Sequence, residues 1–291
     1  MTAPEQSRTA SWRLLLGKPV TVVSAVILAM VVIVALFAQS LIPHSVNDID
    51  VPSALQAPSG AHWFGTDELG RDVLSRVLVA IQASMRVSVV SVAFAVVVGV
   101  TVGVVAGYRG GWLDTVLMRI VDVMFAFPVL LLALAVVAIL GPGVTTTILA
   151  IGIVFTPIFA RVARASTLSV RVEPYVAVSR TMGTGDLYIL TRHVLPNISG
   201  PLIVQTSLSL AFAILSEAAL SFLGLGIQPP QPSLGRMIFD SQGFVTLAWW
   251  MAVFPGAAIF VIVLAFNLLG DGLRDVLDPK QRTMIEARRE R

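Results

Sequence analysis

At 291 residues, with 56% hydrophobic and 13% charged side chains and a mean hydropathy of +0.86, the chain is too apolar for a soluble domain and reads as an integral membrane protein. It contains no cysteine, which excludes disulfides, thiolate metal sites and a cysteine nucleophile. Its net charge of +3 is spread between apolar segments and forms no basic patch, so no nucleic-acid partner is expected.

Residues 1–19 carry Arg8, Arg13 and Lys18 and read as a cytoplasmic tail. The uncharged run 20–42 follows; at about 1.5 Å per residue it spans roughly 34 Å. That is longer than a signal-peptide core, so it is expected to stay as a first membrane helix. Residues 43–85 are polar and carry Asp48, Asp50, Asp67, Glu68 and Asp72. They read as an extracytoplasmic segment ending in an amphipathic helix, with Leu69, Val73, Leu74, Val77, Leu78 and Ile81 at helical spacing. Residues 86–272 read as a five-helix core. A second span covers 87–108, and the turn Arg109-Gly110-Gly111 leads to a third near Leu113. No charge occurs between Asp122 and Arg161, and Gly141-Pro142-Gly143 interrupts that stretch, which predicts a helical hairpin. Spans at about 200–223 and 247–269 flank a Pro-rich loop at 228–233, and 273–291 reads as a second charged cytoplasmic tail.

The polar stretch 161–200 lies between two of these spans. Glu173 suits a helix cap, Pro174 a first turn and Gly183 a positive-φ exit, which predicts a helix of about nine residues. On it Tyr175, Val178 and Met182 share one face while Arg180 points elsewhere. Asp186 suits the cap of a second helix, 187–195, which Pro196 is expected to stop. The residues alone leave two readings open: an amphipathic connector on lipid headgroups, or a docking element.

Basic residues set the orientation. With the amino terminus in the cytoplasm, sixteen of the 20 Lys and Arg fall on inner segments and only Arg71, Arg76, Arg86 and Arg236 on outer ones. No phosphate-binding loop is present, and Gly17-Lys18-Pro19 lacks its upstream glycine and hydroxyl, so the chain is not expected to hydrolyse ATP. The histidines His44, His62 and His193 are scattered in sequence, and no metal ligand set or catalytic residue is predicted. Ionisable groups in the spans are few. Glu217 reads either as a pathway or gate residue or as an interhelical hydrogen bond to a hydroxyl such as Ser216 or Ser221. Asp122 is expected to pair with a basic residue such as Arg119. Gly99, Gly103 and Gly107 form overlapping small-xxx-small repeats that permit close helix contact, with the neighbour left open between this chain and another.

The segment YVAVSRTMG followed by RHVLP resembles the cytoplasmic coupling loop of ABC importer permeases, whose pattern is EAA, three residues, Gly, nine residues, I-x-L-P. Counted from Gly183, the EAA positions are Ala177, Val178 and Ser179, and the last four are His193, Val194, Leu195 and Pro196. Glycine and Leu-Pro match, whereas Ala177 stands for the glutamate and His193 for the isoleucine. HWFGTDELGRDVLSRV and SEAALSFLGLGIQPPQPSLG resemble signature segments of the C-type permease subunit of dipeptide, oligopeptide and nickel ABC importers. Leu234 departs from that likeness where relatives often carry tryptophan.

The resemblance implies an all-α, six-span permease of the type I ABC importer fold, in the cytoplasmic membrane with both termini inside. It implies a homologous B-type permease as partner, an extracytoplasmic solute-binding protein that delivers substrate, and two ATPase subunits or domains that bind ATP and Mg. No cofactor is implied in this chain. Short peptides are the expected cargo, with nickel or haem-type ligands as the alternative and a proton-coupled secondary carrier as the rival class. Energy coupling is then expected at Glu173, Tyr175, Ala177, Val178, Ser179, Arg180, Met182, Gly183, Asp186, Leu195 and Pro196.

Overall fold

The computed structural model describes residues 19–277, so the expected tails lie almost wholly outside the described residues. Within them the chain is helical: α1 (Pro19–Leu41), α2 (Val73–Arg109), α3 (Gly111–Phe125), α4 (Val129–Leu140), α5 (Val144–Val170), α6 (Pro174–Thr181), α7 (Asp186–Phe222), α8 (Leu234–Asp240) and α9 (Trp250–Leu277). Helices satisfy every backbone polar group internally, which the hydrocarbon core of a bilayer demands. Five of the described helices are long and apolar enough to span a membrane, and α3 with α4 makes a sixth span if that bent pair is one crossing.

Three breaks differ from the sequence expectation. The amphipathic segment and the second span are one continuous 37-residue helix, α2, because nothing between them breaks a helix. It starts at Val73 rather than Leu69, since Gly70 turns with φ +76° and Asp72 caps the helix by accepting the Ser75 N–H. The third span is broken at Ala126–Pro128, where α3 and α4 meet at 92°. Pro128 has no N–H to donate and pushes the preceding residue out of the helical region. Pro196 does not stop the helix begun at Asp186. A π-turn at Leu190–Val194 widens the chain, and Pro196 occupies the first turn of the Leu195–Phe222 segment, where its missing donor is tolerated. The expected turn at Gly141-Pro142-Gly143 is present, with φ +87° and +148° at its two glycines.

The glycine repeat on α2 packs against α5 of the same chain. A Cβ on Gly99 would strike the Thr156 carbonyl and Phe159, one on Gly103 the Ala160 carbonyl and Ala163, and one on Gly107 the Arg164 carbonyl and Thr167. The two backbones therefore approach as closely as hydrogen side chains allow, which is the principal attraction available between helices in lipid. Arg164 fastens the same bundle at the Arg109 end of α2, with Nε and Nη2 at 2.6 and 2.7 Å from the two carboxylate oxygens of Asp114 on α3. An apolar cluster on Val87, Ile151, Phe155, Phe159 and Leu220 joins α2, α5 and α7, and a second on Val77, Ile81, Ile214, Trp250 and Phe266 joins α2, α7 and α9.

Candidate functional site

The loop from Arg171 to Pro196 lies at the Arg109 end of α2. Glu173 takes the cap position of α6 with φ −65° and ψ 142°, but its carboxylate makes no capping bond, so the expected side-chain cap is absent. Pro174 instead presets the first turn. Val176 is fully buried and seats α6 in a cluster with Val104, Tyr108, Ala163, Ile189, Val194 and Ile198. The stripe Tyr175, Val178 and Met182 faces away, 40%, 57% and 79% exposed, and Leu187 and Tyr188 extend it at 75% and 55%. A helix held by one buried side and bare on the other presents a large apolar surface from a rigid base.

Gly183 exits α6 at φ +74°, where its N–H bonds the Arg180 carbonyl and the next N–H bonds Ser179. Asp186 does not cap α7: Gly185 holds that position, and Asp186 is the first helical residue. Its carboxylate accepts a 2.9 Å hydrogen bond from the Tyr108 hydroxyl. Arg180 lies with its guanidinium 4.5 Å from the Tyr108 ring centre, and Arg171 donates to the Gly107 carbonyl at 2.8 Å. The loop is thus tied to the last turn of α2 through Tyr108 and Gly107, with Arg180 Nε also donating to the Tyr108 hydroxyl at 3.3 Å. Ala177 and Ser179 lie on α6, exposed and half-buried, while Leu195 and Pro196 are exposed just beyond the π-turn. His193, which replaces the resembled isoleucine, fits between the rings of Tyr175 and Tyr188, 5.9 Å from each. Burial, with Glu173 adding to it, raises the pKa of the Tyr175 phenol.

At the Val73 end of α2, the segment GTDELGRD forms a clamp. The Thr66 hydroxyl donates to the Ser53 carbonyl and accepts the Gln56 N–H, and the Trp250 indole donates to the Thr66 carbonyl at 3.0 Å. Asp67 accepts from the Leu69 and Arg71 backbones and from the Arg71 guanidinium at 2.7 Å, with Arg76 at 3.4 Å. Burial raises the pKa of the Glu68 carboxyl beside this pair, and the charge of Asp67 adds to it. His44 and His62, scattered in sequence, converge here: their Nδ1 atoms are 3.8 and 2.9 Å from Asp72 Oδ1. This is the one grouping among the described residues whose donors could hold a metal ion, and the other Asp72 oxygen is taken up by the cap of α2.

Glu217 is fully buried on α7. It accepts from the hydroxyl of Ser221 on its own helix at 2.7 Å and from that of Ser84 on α2, while Ser216 bonds back to the Phe212 carbonyl. Asp122 pairs with Arg161 on α5 at 2.7 Å, not with Arg119, and Arg161 also lies over the Phe125 ring. The anchor Val176, the Tyr108 ties and the histidine pair escape a reading of sequence, because each joins residues far apart in the chain.

The site is thus a bundle of membrane helices with a backbone-close α2–α5 pair and, at one end, a short anchored helix that displays an apolar stripe. The chain belongs to the binding-protein-dependent transport system inner membrane component family, whose model matches residues 99–283, and a model for the N-terminal TM domain of oligopeptide transport permease C matches residues 8–58. It is therefore an inner-membrane permease subunit of an ABC importer, and separate subunits hydrolyse the ATP. It is 42% identical over 286 residues to the dipeptide transport system permease protein DppC of Alkalihalophilus pseudofirmus, covering 96% of this chain and 94% of that one. It is 44% identical over 284 residues to the glutathione transport system permease protein GsiD of Escherichia coli O157:H7, covering 96% and 94%. To the probable D,D-dipeptide transport system permease protein DdpC of Escherichia coli K12 it is 45% identical over 267 residues, covering 92% and 90%. The fold matches that of the inward-facing MetNI methionine ABC transporter with a TM-score of 0.59 at 18% identity, over 70% of this chain and 97% of that one.

Proposed function

We propose that this chain is the C-type half of a peptide-importing pore. A homologous B-type permease completes the pathway, a solute-binding protein delivers di- or oligopeptides from outside, and two ATPase subunits or domains, which hold ATP and Mg, dock on the loop 171–196. The names of the dipeptide and glutathione relatives support the cargo. One observation carries the coupling: the exposed stripe of Tyr175, Val178 and Met182 stands on a helix whose other side is locked into the bundle by Val176. An ATPase groove that buries the stripe and moves on closing would carry α6 with it. Through the Tyr108, Arg180 and Asp186 contacts, the displacement would reach the tightly packed α2–α5 pair as a rigid body, exchanging inward-open for outward-open states.

Reconstitution tests this reading. In liposomes the chain alone is expected to hydrolyse no ATP and move no peptide; uptake should require the binding protein, the second permease, the ATPases and ATP together. Peptide uptake by this chain alone under a proton gradient would establish a secondary carrier instead.

The same reading places the termini and the loop in the cytoplasm, in line with the sixteen-to-four basic asymmetry. Because the chain has no native cysteine, a single cysteine at exposed Ala61 should react with an impermeant thiol reagent in intact cells, and one at exposed Ala177 only after permeabilisation. Labelling of position 177 from outside would invert the topology.

A further inference from the structure

A cleft of about 1090 Å³ opens between α1, α2, the start of α5 and the loop after α7. Its walls carry Arg86 as their one charged side chain, together with Gln39, Asn47, Gln82, Thr145 and Gln231. Arg86 lies 13 residues into α2, just before the uncharged run 87–108 that crosses the membrane. It is exposed, and no described residue gives it an ion-pair or hydrogen-bond partner. Arg76, one charged position earlier on the same helix, is held by Asp67 and the Val46 carbonyl. The carboxylate nearest in register, Glu217, is turned to Ser84 and Ser221 and is fully buried. Gln82 is likewise committed, donating to the Ala35 carbonyl.

An exposed arginine at the outer edge of a span, with no partner in its own chain, is open to an anionic ligand. Here it faces a cleft with the volume of a small-ligand site, whose other polar groups are neutral and whose walls offer no counter-charge. The planar guanidinium matches a carboxylate through two parallel N–H donors. We infer that Arg86 receives the C-terminal carboxylate of the transported peptide, making this cleft a stage of the pathway that selects for a free carboxyl end, with Asn47, Thr145 and Gln231 available to the peptide's amide groups. The inference rests on the peptide reading above.

The experiment uses the complete reconstituted complex and two probes, alanyl-alanine and its C-terminal amide. The same binding protein delivers both probes to every variant, so its own discrimination cancels when acid-to-amide uptake ratios are compared between wild type and variant. Arg86→Gln is expected to lower uptake of the acid by about tenfold or more, the scale of one charge-assisted hydrogen bond, and to leave the amide nearly unchanged. Arg86→Lys keeps the charge but loses the paired geometry, and should lower the ratio by only a few-fold; it also serves if Arg86→Gln fails to assemble. Equal losses for both probes would assign Arg86 to a partner carboxylate or a lipid headgroup, and wild-type uptake of both probes in every variant that assembles would remove it from the pathway; either result overturns the inference. Failure of the wild-type complex to move either probe would instead sink the peptide reading and this inference with it.

Discussion

Adding one methyl group at Gly103 is expected to destabilise the permease by about 1 to 3 kcal/mol, a penalty typical of overpacking. The new Cβ would meet the Ala160 carbonyl and the Ala163 side chain. The first of these is backbone of α5, which cannot swing aside like the end of a long side chain; the helices must part and forfeit their contact along Gly99, Gly103 and Gly107. Gly256→Ala on α9 is the matched control, because a Cβ there meets nothing within 4 Å. Thermal unfolding of the two variants in detergent should separate them clearly, with Gly256→Ala at or above wild type. Equal stabilities would mean that α2 and α5 are not packed backbone to backbone.

Gly183→Val is expected to abolish most transport while leaving the transmembrane bundle folded. The space around Gly183 is open, so no clash is involved; the cost is conformational, of order 1 to 3 kcal/mol for a branched side chain at φ +74°. The cheapest escape is to unwind the end of α6, which turns Met182 away and shifts the entry into α7. Replacing Tyr175 and Met182 by alanine attacks the same element from its exposed side. Each truncation should cost about 1 to 3 kcal/mol of ATPase docking if the ring and the thioether are buried anchors. Every 1.4 kcal/mol is tenfold in affinity, so the double variant should lose assembly at ordinary subunit concentrations. Ala177→Glu, which restores the glutamate of the resembled pattern, projects from an exposed position and should be tolerated. Wild-type transport by both Gly183→Val and the double variant would make the loop a passive connector.

The parts of this fold that are local in sequence are legible there. Pro174 and Gly183 bound α6 by their own backbone preferences, and the spacing of Tyr175, Val178 and Met182 already puts them on one face. The glycine repeat announces a close contact but not its partner, because α5 contributes the backbone carbonyls of Thr156 and Ala160, which carry no sequence signature. Span ends are read from charge, so the break at Pro128 is hidden in an uncharged stretch that also holds Gly141 to Gly143 and Pro157, of which Pro157 breaks no helix. Pro196 misleads in the opposite direction: a π-turn absorbs the missing donor, a compensation decided by neighbouring backbone rather than by residue type. Asp122 has Arg119 within one turn of its own helix, yet the bend after α3 brings Arg161 of α5 closer. His44 and His62 meet only because the clamp around Thr66 and Asp67 folds the segment before α2 back on itself.

The claim on which the rest depends is that α6 is where the ATPase grips, and the absence of native cysteine permits a direct measurement. A single cysteine at Val178, 57% exposed in the centre of the stripe, should form a specific cross-link with the ATPase subunit in the assembled complex, and ATP should change its yield. A cysteine that forms no such cross-link and instead reacts with a lipid-soluble thiol reagent, with or without ATPase present, would contradict the account and leave α6 on the membrane surface.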